Sequence, residues 1–394
     1  MNGKPSAEMP NALGAGKVVE DIDAVAKYDP ELRFRRLSGI ALKLMYAMTL
    51  ILSIFHIYTA GFGVLQEWRH RTFHLAFVLP LVFFLYTIRK AKGEGKKFLV
   101  YDLVYGMVGS ALLTTMCREL FSLSTAAAWI LALATFLVCV YFKRREYLSD
   151  RIAAWIDFPL FTAMILGIGY LFSLTFSNLQ VSSWFKDLNA ALVFWGFFLL
   201  GVFLSILFLF VLQWARGLKM VFGGRAIRYD QDNIPYFDVF FALMASLVSI
   251  YIFVEFHNIG LRAGSTTQAD MIVGAMAILF VLEGARRSIG APLPIIAILV
   301  LINCYLGPYF LKIPGLTLFA HRGYGVSRII DYMYLGTEGI YGIPLGVVAT
   351  FVFHFVLFGL FISRTGLGQL FMDLAMAIAG GTAGGPAKVA VVSS

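Results

Sequence analysis

Apolar residues in this chain come in long, nearly unbroken runs, and few segments show the alternation of strands or the one-sided spacing of surface helices. The runs lie near 38–60, 72–89, 98–116, 124–143, 153–173, 190–214, 236–254, 270–285, 291–307 and 340–363. Most are about 17–25 residues long, and about 20 helical residues cross the roughly 30 Å hydrocarbon core of a bilayer. Inside lipid every backbone polar group must be satisfied within its own segment, which predicts helices. The runs are too long and too uniformly apolar for a membrane β-barrel. The pattern predicts an all-α, polytopic transmembrane bundle of about ten spans. A further apolar stretch, 366–379, is too short to span and is flanked by glycine, so it predicts a short broken helix at the end.

Composition agrees with that pattern. Soluble domains are typically about 45–50% apolar and about 25% charged; here the values are 59% and 14% over 394 residues. That balance leaves no polar skin for a soluble protein of this size.

Charge orients the spans. Cytoplasmic loops collect Lys and Arg. With the N-terminus inside, 23 of the 32 basic residues fall on the inner side, and every second loop is basic, as ten spans require. The segments 89–97, 143–151 and 215–231 are then cytoplasmic, and 174–189 and 308–335 periplasmic. The net charge of +9 is read as topology and not as nucleic-acid binding, because the basic residues sit in short loops. Trp68, Trp155, Trp184 and Trp214 lie near span ends, where aromatic belts form. A single cysteine placed at Lys92 is therefore expected to resist an impermeant thiol reagent on intact cells, while one at Asn178 reacts. Equal labelling, or labelling at Lys92 alone, overturns the orientation.

Residues 1–37 are polar with mixed charge and predict a cytoplasmic arm, partly disordered or lying on the surface. No apolar core precedes residue 38, so the first span is expected to serve for insertion, without a cleaved signal.

Candidate chemistry is sparse. Cys117, Cys139 and Cys304 have no C-x-x-C spacing and sit in or beside apolar runs, where Cys packs as a small hydrophobe. His70 and His74 are four apart, and His56 lies at a similar depth below the same surface. They allow a bis-histidine haem in principle, but no second pair stands at matching depth, and interfacial side chains are the plainer reading. The glycine-rich stretch Gly380 to Lys388 is no phosphate loop: it lacks Gly-Lys-Ser/Thr, and Pro386 offers no N–H. Charges within spans are costly and invite a role. Asp157 is read as bonding a neighbouring helix in preference to relaying protons. Glu283 with Arg286 is read as an i,i+3 pair or a helix–helix contact.

The last third carries most information. Gly339-Ile340-Tyr341-Gly342-Ile343-Pro344-Leu345-Gly346 opens a long apolar helix, with Pro in the first turn where it is tolerated. The short segment 366–379 is followed by Gly380-Gly381 and Gly384-Gly385-Pro386, and an apolar helix broken by Gly and Pro points to the discontinuous helices that build sites in secondary transporters.

These stretches, with Phe355 to Gly359, Gly366-Leu367-Gly368 and Gly384 to Val391, resemble the fused permease of tripartite ATP-independent periplasmic (TRAP) transporters. Glu283 to Arg287, Ile313-Pro314-Gly315 and His321-Arg322-Gly323-Tyr324 resemble its TAXI-type branch. The resemblance is specific over about 280–394. It implies an inner-membrane importer of organic acids, driven by an ion gradient (Na+ or H+), fed by a periplasmic receptor and needing no resident cofactor. It also implies a division into the arm 1–37, scaffold-like helices 38–335, and the start of a large-subunit, DctM-like transport region at 336–394. Gly342, Pro344, Gly346, Gly384, Gly385, Pro386, Lys388, Ser393 and Ser394 are the expected substrate and ion path, and Arg322 and Arg328 the expected docking charges for the receptor. In the family the Gly-Gly-Pro-Ala-Lys stretch leads into a re-entrant hairpin and further helices. The chain at hand stops before them, so it is expected to be the N-terminal portion of a longer permease, its last residues lying at an interface or mobile and forming no ordered site. A membrane-bound haem electron carrier using His56, His70 and His74, and a non-transporting structural or assembly subunit, are the alternatives.

Overall fold

A computed structural model describes residues 35, 37, 39–86, 107, 110, 114, 118, 124–144, 150–176, 190–214, 234, 236–262, 264–290, 292–312, 315, 317–381 and 383–393. The elements among them are helices: α1 (Gly39–Phe62), α2 (Glu67–Leu85), α3 (Thr125–Arg144), α4 (Asp150–Phe176), α5 (Ala190–Trp214), α6 (Tyr236–Leu261), α7 (Gln268–Ser288), α8 (Pro292–Phe310), α9 (Val326–Ile330), α10 (Ile343–Thr365), α11 (Leu367–Ala379) and α12 (Gly385–Ser393). Within the described residues, seven helices are long and apolar enough to cross a membrane: α1, most of α4 and α5, α6, α7, α8 and α10. The chain is an all-α, multi-pass membrane bundle. The span expected at 98–116 lies outside the described residues apart from Met107, Ser110 and Thr114, which are helical.

Burial sorts the helices. Over their apolar windows α6 is 61% buried and α7 50%, while α1, α5, α8 and α10 are 11–17% buried. So α6 and α7, with α2, form the centre, and the others turn most of their large apolar side chains to lipid. Leu192, Leu199, Phe203 and Phe210 on α5 are outward examples. The core is built on Phe83, Phe237, Phe240, Tyr251, Ile252 and Tyr334, all fully buried.

The sequence placed the second span at 72–89; the helix in fact starts at Glu67 and takes in Trp68, Arg69, His70 and Arg71. Hydropathy leaves such charged residues outside a span because lipid rejects them. They are tolerated because α2 faces protein: His70, Arg71, Thr72 and His74 are buried, and Glu67 bonds Arg71 one turn on. Pro80 sits inside the helix and cannot donate to the carbonyl of Ala76. The hydroxyl of Ser246 on α6 donates to that carbonyl at 3.2 Å instead. Pro308 in α8 likewise leaves the carbonyl of Cys304 open, and the N–H of Tyr324 takes it at 2.9 Å.

On the other flank α4 and α5 cross closely. A Cβ at Gly169 would meet Val202 Cγ2 at 2.5 Å, and one at Gly201 would meet Phe172 Cβ at 2.7 Å. Small residues let membrane helices approach this way. Ser173 Oγ donates to the carbonyl of Phe194 across the same contact at 2.8 Å. Asp157 on α4 is fully buried.

Two buried charge clusters pin the centre, one at each end. At the α6–α7 link, Thr267 and Asp270 form a capping box at the start of α7. Arg262 bonds Asp270 at 2.8 Å and reaches Glu255 at 3.5 Å, and Tyr251 donates to Asp270 at 2.8 Å. At the other end, Asp238 accepts from both Arg35 and Arg287. Arg287 also bonds Glu283 at 2.7 Å and lies 4.9 Å over the ring of Phe83. The i,i+3 pair expected between Glu283 and Arg286 is present at 2.7 Å. Arg35 belongs to the stretch read as a loose arm, but its side chain is buried, with a further bond to the carbonyl of Phe83 at 3.0 Å. Residues 1–34 lie outside the described residues.

Candidate functional site

The C-terminal region meets the N-terminal helices along a seam between α10 and the α1–α2 pair, and glycines set its geometry. After α9 the chain continues through a π turn, Asp331–Leu335, and folds back so that the N–H of Ile340 donates to the carbonyl of Met333 at 2.8 Å. Gly339 lies on the Met333 backbone in this fold, where a Cβ would stand 2.6 Å from the carbonyl carbon. The next residues present the carbonyl of Tyr341 to Arg71 of α2, whose Nη1 donates to it at 2.7 Å. Gly342 caps α10, Pro344 occupies its first turn, and Gly346 leaves room for the Arg71 guanidinium, which a Cβ there would approach to 2.6–2.8 Å. Thus Gly342, Pro344 and Gly346, expected on a substrate path, shape a packed contact with α2. Arg71 and Tyr341 were missed as partners because 270 residues separate them.

One turn further along α10 the helix loosens into a π turn, Val348–Val352, in which the N–H of Phe353 bonds the carbonyl of Val348. π turns shift backbone pairing by one residue and often mark functional positions. Here the carbonyl of Ala349 faces His70 Nε2 at 3.3 Å, and that of Thr350 faces His354 Nδ1. His354 Nε2 reaches the carbonyl of His56 on α1 at 2.7 Å, and His56 Nε2 lies 2.8 Å from His74 Nδ1. The rings of His70, His74 and His354 lie 5.0–5.4 Å from that of His56.

The reading of His56, His70 and His74 as interfacial side chains is corrected by this geometry. All three are 2% exposed or less, and His354, almost 300 residues from His56, completes a four-histidine cluster. Nor does the arrangement suit the haem alternative. His56 and His74 are in direct hydrogen-bond contact, which leaves no space between them for a porphyrin plane. Among the described residues no group of three or more His, Cys, Asp or Glu side chains is arranged to hold a metal ion.

Beside the seam, at the end of the α6–α7 link, an open recess of about 250 Å³ is lined by Trp68, Arg262, Asp270, Asp331, Tyr332 and Glu338, among others. The neighbouring segment 317–325 is held by His321, which donates from Nε2 to the carbonyl of Asn303 at 3.0 Å and accepts at Nδ1 from the N–H of Gly323 at 3.0 Å. Arg322 and Arg328 are exposed, and Arg328 lies 6.0 Å over the ring of Tyr324.

Past α10 the broken-helix expectation is met by a helical hairpin. Gly366, left-handed at φ +78°, separates α10 from α11. α12 packs back on α11 through Ala375, Ala379 and Val389. The turn needs its glycines: Gly384 is left-handed at φ +76°, and a Cβ on Gly385 would collide with the carbonyl of Gly380. Pro386 falls in the first turn of α12, and Lys388 lies one turn in, exposed. The terminal residues expected at an interface or mobile are thus helical as far as Ser393; the Ser393 side chain and Ser394 lie outside the described residues.

Residues 276–394 match the family model of the tripartite ATP-independent periplasmic transporter, DctM component. No curated protein matches the chain, and no solved structure does. The matched segment starts within α7 and takes in α8, the segment around His321, the seam side of α10 and the α11–α12 hairpin. The chain is a multi-pass membrane protein whose residues 276–394 are similar to the DctM component of TRAP-type transporters.

Proposed function

We propose that this chain is a TAXI-type TRAP permease component of a bacterial inner membrane, with its N-terminus in the cytoplasm. In this reading it supplies part of a transporter that, when complete, imports an organic acid delivered by a periplasmic receptor and draws on a Na+ or H+ gradient. The observation that carries it is the DctM match over 276–394, laid on a bundle whose matched part includes a glycine-turned helical hairpin. A helix too short to span, α11, followed by a turn with Gly384, Gly385 and Pro386 and by Lys388 just beyond, is the kind of broken element whose ends and carbonyls bind solutes and ions in secondary transporters. Gly342, Pro344 and Gly346, which pack against α2, belong to the same proposed substrate and ion path, as do Ser393 and Ser394.

The receptor docks on the face that carries the recess and the exposed Arg322 and Arg328. Rim charges of this kind steer encounter and set its salt dependence. Reversal of both arginines (Arg322→Glu with Arg328→Glu) is expected to lower photo-crosslinking of the cognate receptor in membranes about tenfold, with the difference shrinking in high salt. Membrane insertion should not change. Crosslinking that keeps its yield and its salt dependence removes these residues from the docking face; failure of any organic acid to accumulate in vesicles holding the complete permease with receptor and either gradient counts against the transport reading itself.

A further inference from the structure

The four histidines at the seam differ in what their ring nitrogens face. A neutral imidazole has one N–H and one bare nitrogen; only the imidazolium donates from both. His321, outside the cluster, shows the neutral pattern, with Nε2 donating to a carbonyl and Nδ1 accepting from an N–H. Within the cluster, His70 is satisfied as a neutral ring: Nε2 donates to Ala349, and its buried Nδ1 has no partner. A proton on that nitrogen would be a buried donor without an acceptor. His56 and His74 share one hydrogen bond, and the buried Nδ1 of His56 also has no partner. A neutral pair satisfies that bond, one ring donating and the other accepting.

His354 differs from the other three. Its Nδ1 faces the carbonyl of Thr350 and its Nε2 the carbonyl of His56. Both partners are oxygens that can only accept, so satisfying both takes two N–H groups. We infer that the cluster is a binding site for a single proton, carried on His354 between a carbonyl of its own helix and a carbonyl of α1. The proton is thereby a ligand of the seam: it fastens the DctM-type segment to the first N-terminal helix. A neutral His354 must give up one of the two bonds.

The surroundings admit one proton and discourage a second. From α1 the cluster is faced by His56. From α2 it is faced by His70 and His74, with Arg71 between them in sequence, itself bonded to Glu67 and Tyr341. α10 contributes His354 alone, with the carbonyls of its π turn. Glu67 is already taken by Arg71, and Glu338, the other carboxylate near, also acts on that guanidinium, so a second imidazolium would stand against like charge with no acceptor prepared for it. The shared cluster therefore loads as a unit.

The test uses the full chain, with 15N-labelled histidine, in lipid nanodiscs. Nitrogen spectra distinguish the imidazolium from the two neutral tautomers. At about pH 6, where an ordinary imidazole is mostly protonated, one cluster ring should show the doubly protonated pattern and three the neutral one. That signal should vanish in His354→Gln and persist in the exposed-site variant His257→Gln. Raising the pH until the His354 signal turns neutral should broaden the distance between spin labels at Ile57 on α1 and Phe355 on α10. A control pair at Leu166 and Leu199, on α4 and α5, should not respond. Four neutral cluster rings at about pH 6, two or more imidazolium rings within the cluster, or a seam distance that ignores the loss of the proton, each overturns the inference. So does stoichiometric Zn2+ uptake with loss of the imidazolium signal, which would make a metal the ligand.

Discussion

Replacing Asp238 by alanine is expected to cost about 3–5 kcal/mol of stability, the range for removing one partner of a buried ion pair. Asp238 is fully buried and stands between two guanidinium groups, Arg35 and Arg287. Without it both cations remain inside, and Glu283 is the one carboxylate still bonded to Arg287. The stacking of Arg287 on Phe83 cannot replace a carboxylate, since such contacts contribute about 0.5–2 kcal/mol. The double variant Asp238→Ala with Arg287→Met should recover part of the loss, because an apolar side chain leaves less unpaired charge. Reversible unfolding in detergent micelles measures both. A loss under about 1 kcal/mol for the single variant, or no recovery in the double, would mean that water reaches the cluster and screens it.

The second large effect is expected at Gly339. Alanine there would place its Cβ on the backbone of Met333, and backbone, unlike a flexible side chain, has no alternative rotamer. Overpacking of this kind costs about 1–3 kcal/mol, occasionally more. The damage should also spread along the chain, because the same turn carries Tyr341 to Arg71. A disulfide between cysteines placed across α2 and α10 should therefore form more slowly in Gly339→Ala. Gly359 is the control, because a methyl added there would have nothing within 4 Å. Alanine at that position should be neutral or slightly stabilising, as in any open helix position. Equal effects at Gly339 and Gly359 would refute the packing account.

Most of the spans were legible because lipid selects uniform apolar runs, and a run such as 190–214 or 291–307 has few other readings. α2 was misjudged at its start for the same reason: Glu67 to Arg71 looks like a loop to any rule that assumes lipid on all sides, while this helix is surrounded by protein. The pairing of His70 and His74 on one face was visible from their spacing, but His354 lies in an ordinary apolar run, and nothing local ties it to His56. The motif glycines were recognisable as glycines. What each accommodates — the Met333 backbone at Gly339, a guanidinium at Gly346, a turn carbonyl at Gly385 — depends on contacts that no spacing encodes.

The central place of α2 has a consequence for how the protein is made. Its main partner is α6, and the bond from Ser246 to the carbonyl opened by Pro80 spans 170 residues of sequence. At about 5–20 residues per second, α2 leaves the ribosome roughly 10–30 s before that partner exists. During this interval a helix bearing Arg69, His70, Arg71 and His74 has, of its main packing partners, only α1 in place. It must wait near the membrane surface, or be held by an insertase, until α6 arrives and draws it into place. Biogenesis, more than the finished bundle, is where substitutions that make α2 more polar should first be felt.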